Sequence, residues 1–413
     1  MSKNSILRII LLSVIVVSIV VLAGCEERPS SVEPTSESTD TGFPVTIFSS
    51  PERTRDAVDA FRTATDIAYQ SGENEVVPYA ADVVYIRNNP EAARNYVLSM
   101  GENYQYPPVI VGPTSTSEAS AILNLPKASD ILMLSQYPLA AGLRSDDNLL
   151  CFAPTPEHEL SALYSNMQGG LVDWGATIFP VMPSDYQYMT EYLDATEPYR
   201  YRSHLLSYWE PFVFAPGNVQ TALAEFDDDM HDQYGLGHVY LLFVGASQHA
   251  GDLVELLETI DDYEYLDRVD IIASSAFAGS ETLLHSRIAL SEMEERDFYS
   301  IRPAIDPYGG TGEYYNRLER SIHRPASYQA HITHDIHMLL TGALATFDDN
   351  SLGPEDVEIL KARIIELSQE TNGITGPLSL NETGDRTVIP YEIMEVHDGA
   401  WEVVGQSLGE LFE

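Results

Sequence analysis

Lysine is nearly absent from this chain. Lys3, Lys127 and Lys361 are the only three, and 22 lysines and arginines together face 63 aspartates and glutamates. A formal net charge of −41 opposes binding to nucleic acid or anionic lipid surfaces, because both would repel it. Cysteine is as scarce. Cys25 and Cys151 are the whole complement, which leaves no internal disulfide if Cys25 is used outside the fold. Cys151 ends a Leu-Leu run and reads as a small buried hydrophobe rather than a nucleophile. No stretch matches a Walker A loop, a G-x-G-x-x-G turn, H-E-x-x-H or G-x-S-x-G, so no cofactor is expected. The acid runs Asp227 to Asp229, Asp261-Asp262 and Asp348-Asp349 read as solvated faces. A surface this acidic and poor in lysine points to a salt-adapted (halophilic) source, where counterions screen the acids.

A long apolar run occurs once. Lys3 and Arg8 precede Ile9 to Ala23, which is apolar apart from two serines. It is shorter than the roughly 20 residues that a spanning helix needs and suits the core of a signal peptide over residues 1–24. The run ends Leu22-Ala23-Gly24-Cys25, which looks like a bacterial-type lipobox. Cleavage there would leave Cys25 as a lipidated N-terminus, anchored to the cell membrane through its acyl chains. The alternative is an uncleaved N-terminal membrane helix. Either reading makes the rest extracytoplasmic, periplasmic or on the cell surface. Residues 25–42 form an acidic Ser/Thr/Pro linker in which Val32 is the only large apolar residue, so it reads as a solvated tether. The globular part starts near Phe43.

Without residues 1–24, which hold Lys3, Arg8 and no acid, 389 residues of net charge −43 remain, enough for two domains. A hydrophobic content of 44% allows large cores. Phe43 to Phe48 is strand-like, and Ser49-Ser50-Pro51-Glu52 caps a helix running to about Gln70. Val83 to Ile86 is a strand, and Asn88-Asn89-Pro90 caps a helix to Met100. Val109-Ile110-Val111 stops at Gly112-Pro113, the hydroxyl turn Thr114 to Ser117 follows, and a helix runs from Glu118 to Leu125. Ile131 to Ser135 is the next strand, ending in the loop Gln136 to Leu143. Thr155 starts a helix with Glu159 placed for a capping box. Ala176 to Met182, Val239 to Val244 and Val269 to Ala273 are further strands, the last two ending at Gly245-Ala246-Ser247-Gln248 and Ser274-Ser275. This alternation predicts an α/β chain with parallel, doubly wound sheets. Such sheets bind ligands at the carboxyl ends of strands, beside helix N-termini. Ser115, Thr116 and Ser117 are therefore the first candidate ligand contacts.

The order VIVGPTSTSEASAI, ILMLSQYPLAAGL, FAPTPEHEL and, at the end, NGITGPLSLNETGDRTVIPYEIMEVHDGAWEVVG resembles the type I periplasmic binding proteins. The closest likeness is to their leucine/isoleucine/valine-binding family of ABC-transporter solute receptors. Tyr308 to Leu344, with Asp335 and its alanine-rich helix, is similar to another segment of that family, and the likeness covers about residues 43–405. It implies two Rossmann-like lobes, residues 43–153 plus 304–372 and residues 154–303 plus 373–413, hinged by about three crossings near Ala153, Arg302 and Ile374. It also implies ligand contacts at Tyr137, Pro138 and Leu139, at Tyr186, and at Ala246, Ser247 and Ser275. Ser49-Ser50 stands where the family has a Pro-x-Ser-Gly type loop. Among the dense aromatics from Tyr188 to Phe214, one or two are expected to face the cleft.

The implied function is capture of a small polar solute, an amino acid or a relative, for an ABC permease or a membrane sensor, with binding and no catalysis. A zwitterion needs donors for its carboxylate and an acceptor for its ammonium. The hydroxyls of Ser115 to Ser117 could donate, but Tyr137-Pro138-Leu139-Ala140 is apolar and no acid lies close to Ser275 in sequence. A different solute, or a receptor-like protein without a transport role, therefore stays open. His331, His334 and Asp335 share a helix face with His337 nearby, a spacing that could hold a divalent metal in a surface enzyme. The favoured reading is a polar stripe beside Ile332, Ile336, Leu339 and Leu340.

Overall fold

The computed structural model describes residues 42–49, 55–71, 76–86, 89–100, 106–140, 143, 148–166, 176–186, 188–202, 206–208, 210–232, 238–266, 269–296, 298–307, 312–323, 325–347 and 352–411. The expected signal peptide, Cys25, the linker before Gly42, Ser50-Pro51-Glu52, Tyr308 and Asp348-Asp349 lie outside the described residues. Among the described residues no helix is long and apolar enough to cross a membrane.

Short strands of uninterrupted apolar residues need cover on both faces, and the chain provides it with helices. The first sheet contains β1 (Gly42–Ser49), β2 (Val77–Tyr85), β3 (Val109–Val111), β4 (Leu132–Ser135) and β5 (Leu149–Cys151), in the order β2-β1-β3-β4-β5. All its pairings are parallel. Alternation splits each strand between two cores. Val109 and Val111 pack with Val58 and Phe61 of α1 (Arg55–Ser71). Ile110 packs on the other face with Ala93 and Val97 of α2 (Pro90–Ser99) and Ile122 of α3 (Thr116–Leu123). Asn89 caps α2 through its side chain, with Pro90 in the first turn, as the sequence predicts.

After β5 the chain enters α4 (Pro156–Asn166) and then builds the second sheet. This sheet takes β6 (Ala176–Pro183), followed by α5 (Met189–Arg202), and then the short strands β7 (Leu206–Tyr208) and β8 (Phe212–Phe214). Next come α6 (Val219–Asp232), β9 (Val239–Phe243), α7 (Ala250–Thr259), β10 (Asp270–Ala273), α8 (Glu281–His285), α9 (Arg287–Glu295) and β11 (Phe298–Pro303). Three helical segments return to the first sheet: α10 (Gly312–Ile322), α11 (Tyr328–Leu344) and α12 (Val357–Ser368). A tight pair, β12 (Asn372–Gly373) and β13 (Gly376–Pro377), precedes β14 (Val388–His397) and β15 (Ala400–Glu410). The second sheet runs β15-β14-β11-β10-β9-β6-β7, with β8 also pairing β6, and only β14 and β15 are antiparallel. The molecule is thus α/β with two doubly wound sheets, and the chain passes between them three times.

These passages are laced together by one buried network. Arg386 is only 1% exposed, and its bonded partners among the described residues are carbonyls and a hydroxyl. Its guanidinium donates to the carbonyls of Pro377 (2.8 Å) and Thr375 (2.6 Å) and to the Thr375 hydroxyl (2.8 Å), and reaches the Phe152 carbonyl at 3.5 Å. The Thr375 hydroxyl donates in turn to Asp335 at 2.6 Å, and the same carboxylate accepts from the N–H groups of Ile374 and Thr375. A side chain at Gly373 would place its Cβ 2.3 Å from the Asp335 carboxyl carbon, so only glycine permits this approach. Arg386 also donates its N–H to Cys151, and Asp385 bridges to Cys151. The chain therefore stays beside β5 through Arg386 before it enters β14.

The histidines of α11 serve the same packing. His337 Nε2 lies 3.2 Å from the Thr65 hydroxyl and 3.1 Å from the Pro78 carbonyl. Burial pushes the imidazoles of His331 and His337 down to about 4 and about 3. No group of three or more His, Cys, Asp or Glu side chains poised to hold a metal occurs among the described residues. Burial raises the Asp335 carboxyl, but the bonds from His334 and Thr375 overcome this and hold it below its ordinary value.

Asp335→Ala is expected to lower the unfolding free energy by about 3–5 kcal/mol in chemical denaturation, because it strips a buried network of one charge. A loss below about 1 kcal/mol would contradict this role. The pH dependence has one sign for all three groups. A carboxyl held low adds stability above the carboxylate range and loses it as pH falls through that range. Below about 6.5 the unfolded chain takes up imidazole protons that folded His331 and His337 refuse. Stability should therefore fall steadily from about pH 6.5 toward pH 3.

Candidate functional site

The turn after β3 sets the first wall. Gly112, at φ 137°, redirects the chain where a Cβ would meet the Cβ of Phe48 at 2.8 Å. Ser115 is extended and caps α3, its hydroxyl accepting the Glu118 N–H at 3.3 Å. The helix thus begins at Thr116, two residues before the expected Glu118. Glu118 is fully buried, and its Oε2 accepts from the N–H (2.9 Å) and hydroxyl (2.8 Å) of Thr114. A carboxylate in the first turn of a helix is favourably placed against the dipole. The turn after β4 is fixed by Ser135, whose hydroxyl accepts the Tyr137 N–H at 3.2 Å and donates to the Pro113 carbonyl at 3.0 Å. Thr116 joins the two turns, its hydroxyl accepting the Ala140 N–H at 3.1 Å.

Above these turns lies a cavity of about 750 Å³, within the range of small-molecule sites. Thr114 to Ser117 and Ser120 form one side, with Tyr137 and Pro138 beside them. Tyr188 and Glu191, from the start of α5 beyond β6, close it from the side of the second sheet, and Gln329 of α11 completes the lining. The Tyr188 hydroxyl donates to the Pro138 carbonyl at 3.1 Å, a hydrogen bond that spans the two halves of the wall.

The ten residues proposed from sequence divide. Ser115, Thr116, Ser117, Tyr137 and Pro138 line the cavity. Leu139 is 3% exposed and packs behind it with Ile110 and Met133. Tyr186 stands edge-on to Tyr188, ring centroids 6.0 Å apart. Burial and then the Glu159 charge raise its hydroxyl above the ordinary range. Ala246, Ser247 and Ser275 sit at the tips of β9 and β10, outside this lining. Ala246 donates its N–H to His249, and Ser247 is exposed at the start of a short turn.

An acid does stand beside Ser275, but it comes from 116 residues away. Glu159 accepts from the N–H of Ser275 at 3.2 Å and from its hydroxyl at 2.5 Å. Burial raises the Glu159 carboxyl, against the opposing pull of its Ser275 and Tyr192 hydrogen bonds. The expected capping box is closed by His158 instead, whose Nδ1 accepts the Thr155 N–H at 3.2 Å while the Thr155 hydroxyl accepts the His158 N–H at 3.4 Å. Thr155 with Glu four residues on is one residue too long for that box. Tyr188, Glu191, Ser120 and Gln329 carried no signal in the sequence beyond the general density of aromatics.

No protein-family model matches the sequence, and no curated protein does. Solved structures match over nearly the whole length. An ABC transporter substrate-binding protein from Desulfitobacterium hafniense superposes with a TM-score of 0.66 at 15% identity, covering 88% of this chain and 100% of its own. The fold is that of the type I periplasmic binding proteins. The branched-chain amino acid substrate-binding protein LivJ from Streptococcus pneumoniae, solved with isoleucine, gives 0.58 at 13% identity over 90% of this chain and 99% of its own. A solute-binding protein from R. palustris, in complex with benzoate, gives 0.57 at 13% identity over 90% and 98%.

Two serines of one turn should separate cleanly. Ser115→Ala loses the cap and should destabilise by about 1 kcal/mol. Ser117→Ala removes an exposed hydroxyl whose partner is Ser115 at 3.1 Å and should stay within about 0.5 kcal/mol of the parent in urea unfolding. Equal losses would mean that both hydroxyls are structural.

Proposed function

We propose that this chain is an extracytoplasmic solute-binding protein, anchored by a lipidated Cys25, that captures a small molecule for an ABC permease by closing two lobes. The carrying observation is the cavity at the strand tips, whose lining comes from both sides of the molecule and is bridged by Tyr188 and Pro138. A ligand touching both walls stabilises the closed form alone and so shifts the equilibrium toward it. The lobes in this reading are residues 43–153 plus 304–372 and residues 154–303 plus 373–413. Binding proteins of the same fold, holding isoleucine or benzoate, support the reading. A membrane sensor in place of the permease would use the same closure.

A thermal-shift screen against amino acids, amides, short organic acids, sugars and polyols tests capture. At least one compound should raise the melting temperature progressively with concentration, as ligand linkage requires, and Tyr188→Phe should reduce that response. A flat response to every class would contradict solute capture. In cells, Cys25→Ser should move the protein from the membrane pellet to the soluble fraction, and no redistribution would remove the lipid anchor from the proposal.

A further inference from the structure

We propose that the cavity takes an uncharged polyhydroxylated solute, a sugar or polyol, in preference to a carboxylic acid; this rests on the solute-binding reading above. The turn that opens this helix already holds one acid of the chain, so an incoming carboxylate would be the second negative charge there. Glu118 is fully buried beneath it and holds both polar groups of Thr114, the N–H at 2.9 Å and the hydroxyl at 2.8 Å. Its other oxygen is buried and makes no hydrogen bond among the described residues, so the turn already leaves part of this acid without a donor. A ligand carboxylate placed at the same helix end would face Glu118 from the front and Glu191 from the opposite wall. Like charges in a partly desolvated space repel. Among the described lining residues there is no lysine, arginine or histidine to offset them.

The lining has a different complement. Serine and threonine hydroxyls both donate and accept, as does the Gln329 amide. A polyol uses both capacities, whereas a cation uses acceptors alone. Glu191 can accept from two neighbouring hydroxyls of one ligand, as a carboxylate does for any pair of adjacent donors. The Tyr137 and Tyr188 rings add flat apolar faces suited to the C–H face of a sugar. This combination favours a neutral, hydroxyl-rich ligand over the acids carried by the solved neighbours.

Isothermal titration of the purified full chain decides it, with D-glucose, trehalose and myo-inositol as one series and L-leucine, benzoate and choline as the other. Saturable binding is expected in the first series only, weakened about tenfold or more by Glu191→Gln and measurably by Ser117→Ala. Circular dichroism of both variants should match the parent. Saturation by leucine or benzoate, tightened by Glu191→Gln, would overturn the ligand class while leaving solute capture intact. Saturation by choline alone would overturn it in favour of a cation. Silence from all six probes would also overturn it, and the wider thermal-shift screen then reports separately whether any solute binds.

Discussion

The structure depends on a buried guanidinium that, among the described residues, is held by carbonyls and a hydroxyl rather than a carboxylate. Arg386 spreads its charge over carbonyls from two passages between the sheets and over the Thr375 hydroxyl, which relays it to Asp335. A buried charge is tolerable when its donors are satisfied and a counter-charge lies near, and both conditions hold here. The consequence is mechanical. The stretches at 151–155, 304–306 and 374–386 are tied to one another or to β14, with Ala304 donating its N–H to Pro390 and Asp306 to Ile374. In the proposed closure, bending would centre on the few residues around this knot.

What that knot positions is a pair of unlike walls. The first is rigid: Ser115 caps its helix, Thr116 holds Ala140, and Ser135 pins Pro113 to Tyr137. The second reaches over from the start of α5, and the Tyr188 hydroxyl joins it to the first. That hydrogen bond, between neutral groups, contributes about 0.5–1.5 kcal/mol, a bias on the proposed opening equilibrium. Solute capture in a hinged protein requires such an equilibrium, since a ligand shifts an equilibrium only by its differential affinity for the two forms.

Much of the architecture was legible in the residues. Apolar runs such as Val239 to Phe243 could only be buried parallel strands, and Asn89-Pro90 announced its helix start. Positions fixed by neighbours in sequence, such as Ser115 at the tip of β3, were accessible for the same reason. Contacts made through space were not. Glu159 reaches Ser275 across 116 residues, so no local pattern could supply the acid that the tip of β10 lacked. Tyr186 and Tyr188 differ by two positions in an irregular turn, where no period decides which ring faces the cavity. The histidines of α11 left a metal open beside the favoured polar stripe, because helical spacing shows which side chains share a face, not that His337 already contacts Thr65 and Pro78.

The proposed hinge is open to one direct measurement: the distance between spin labels on the exposed positions Leu98 of α2 and Ile288 of α9, one beside each sheet. The account predicts that Tyr188→Phe moves the unliganded distance distribution away from that of the parent, and that a saturating solute brings both proteins to one common distribution. Identical distributions in the two proteins, unmoved by a bound solute, would contradict it.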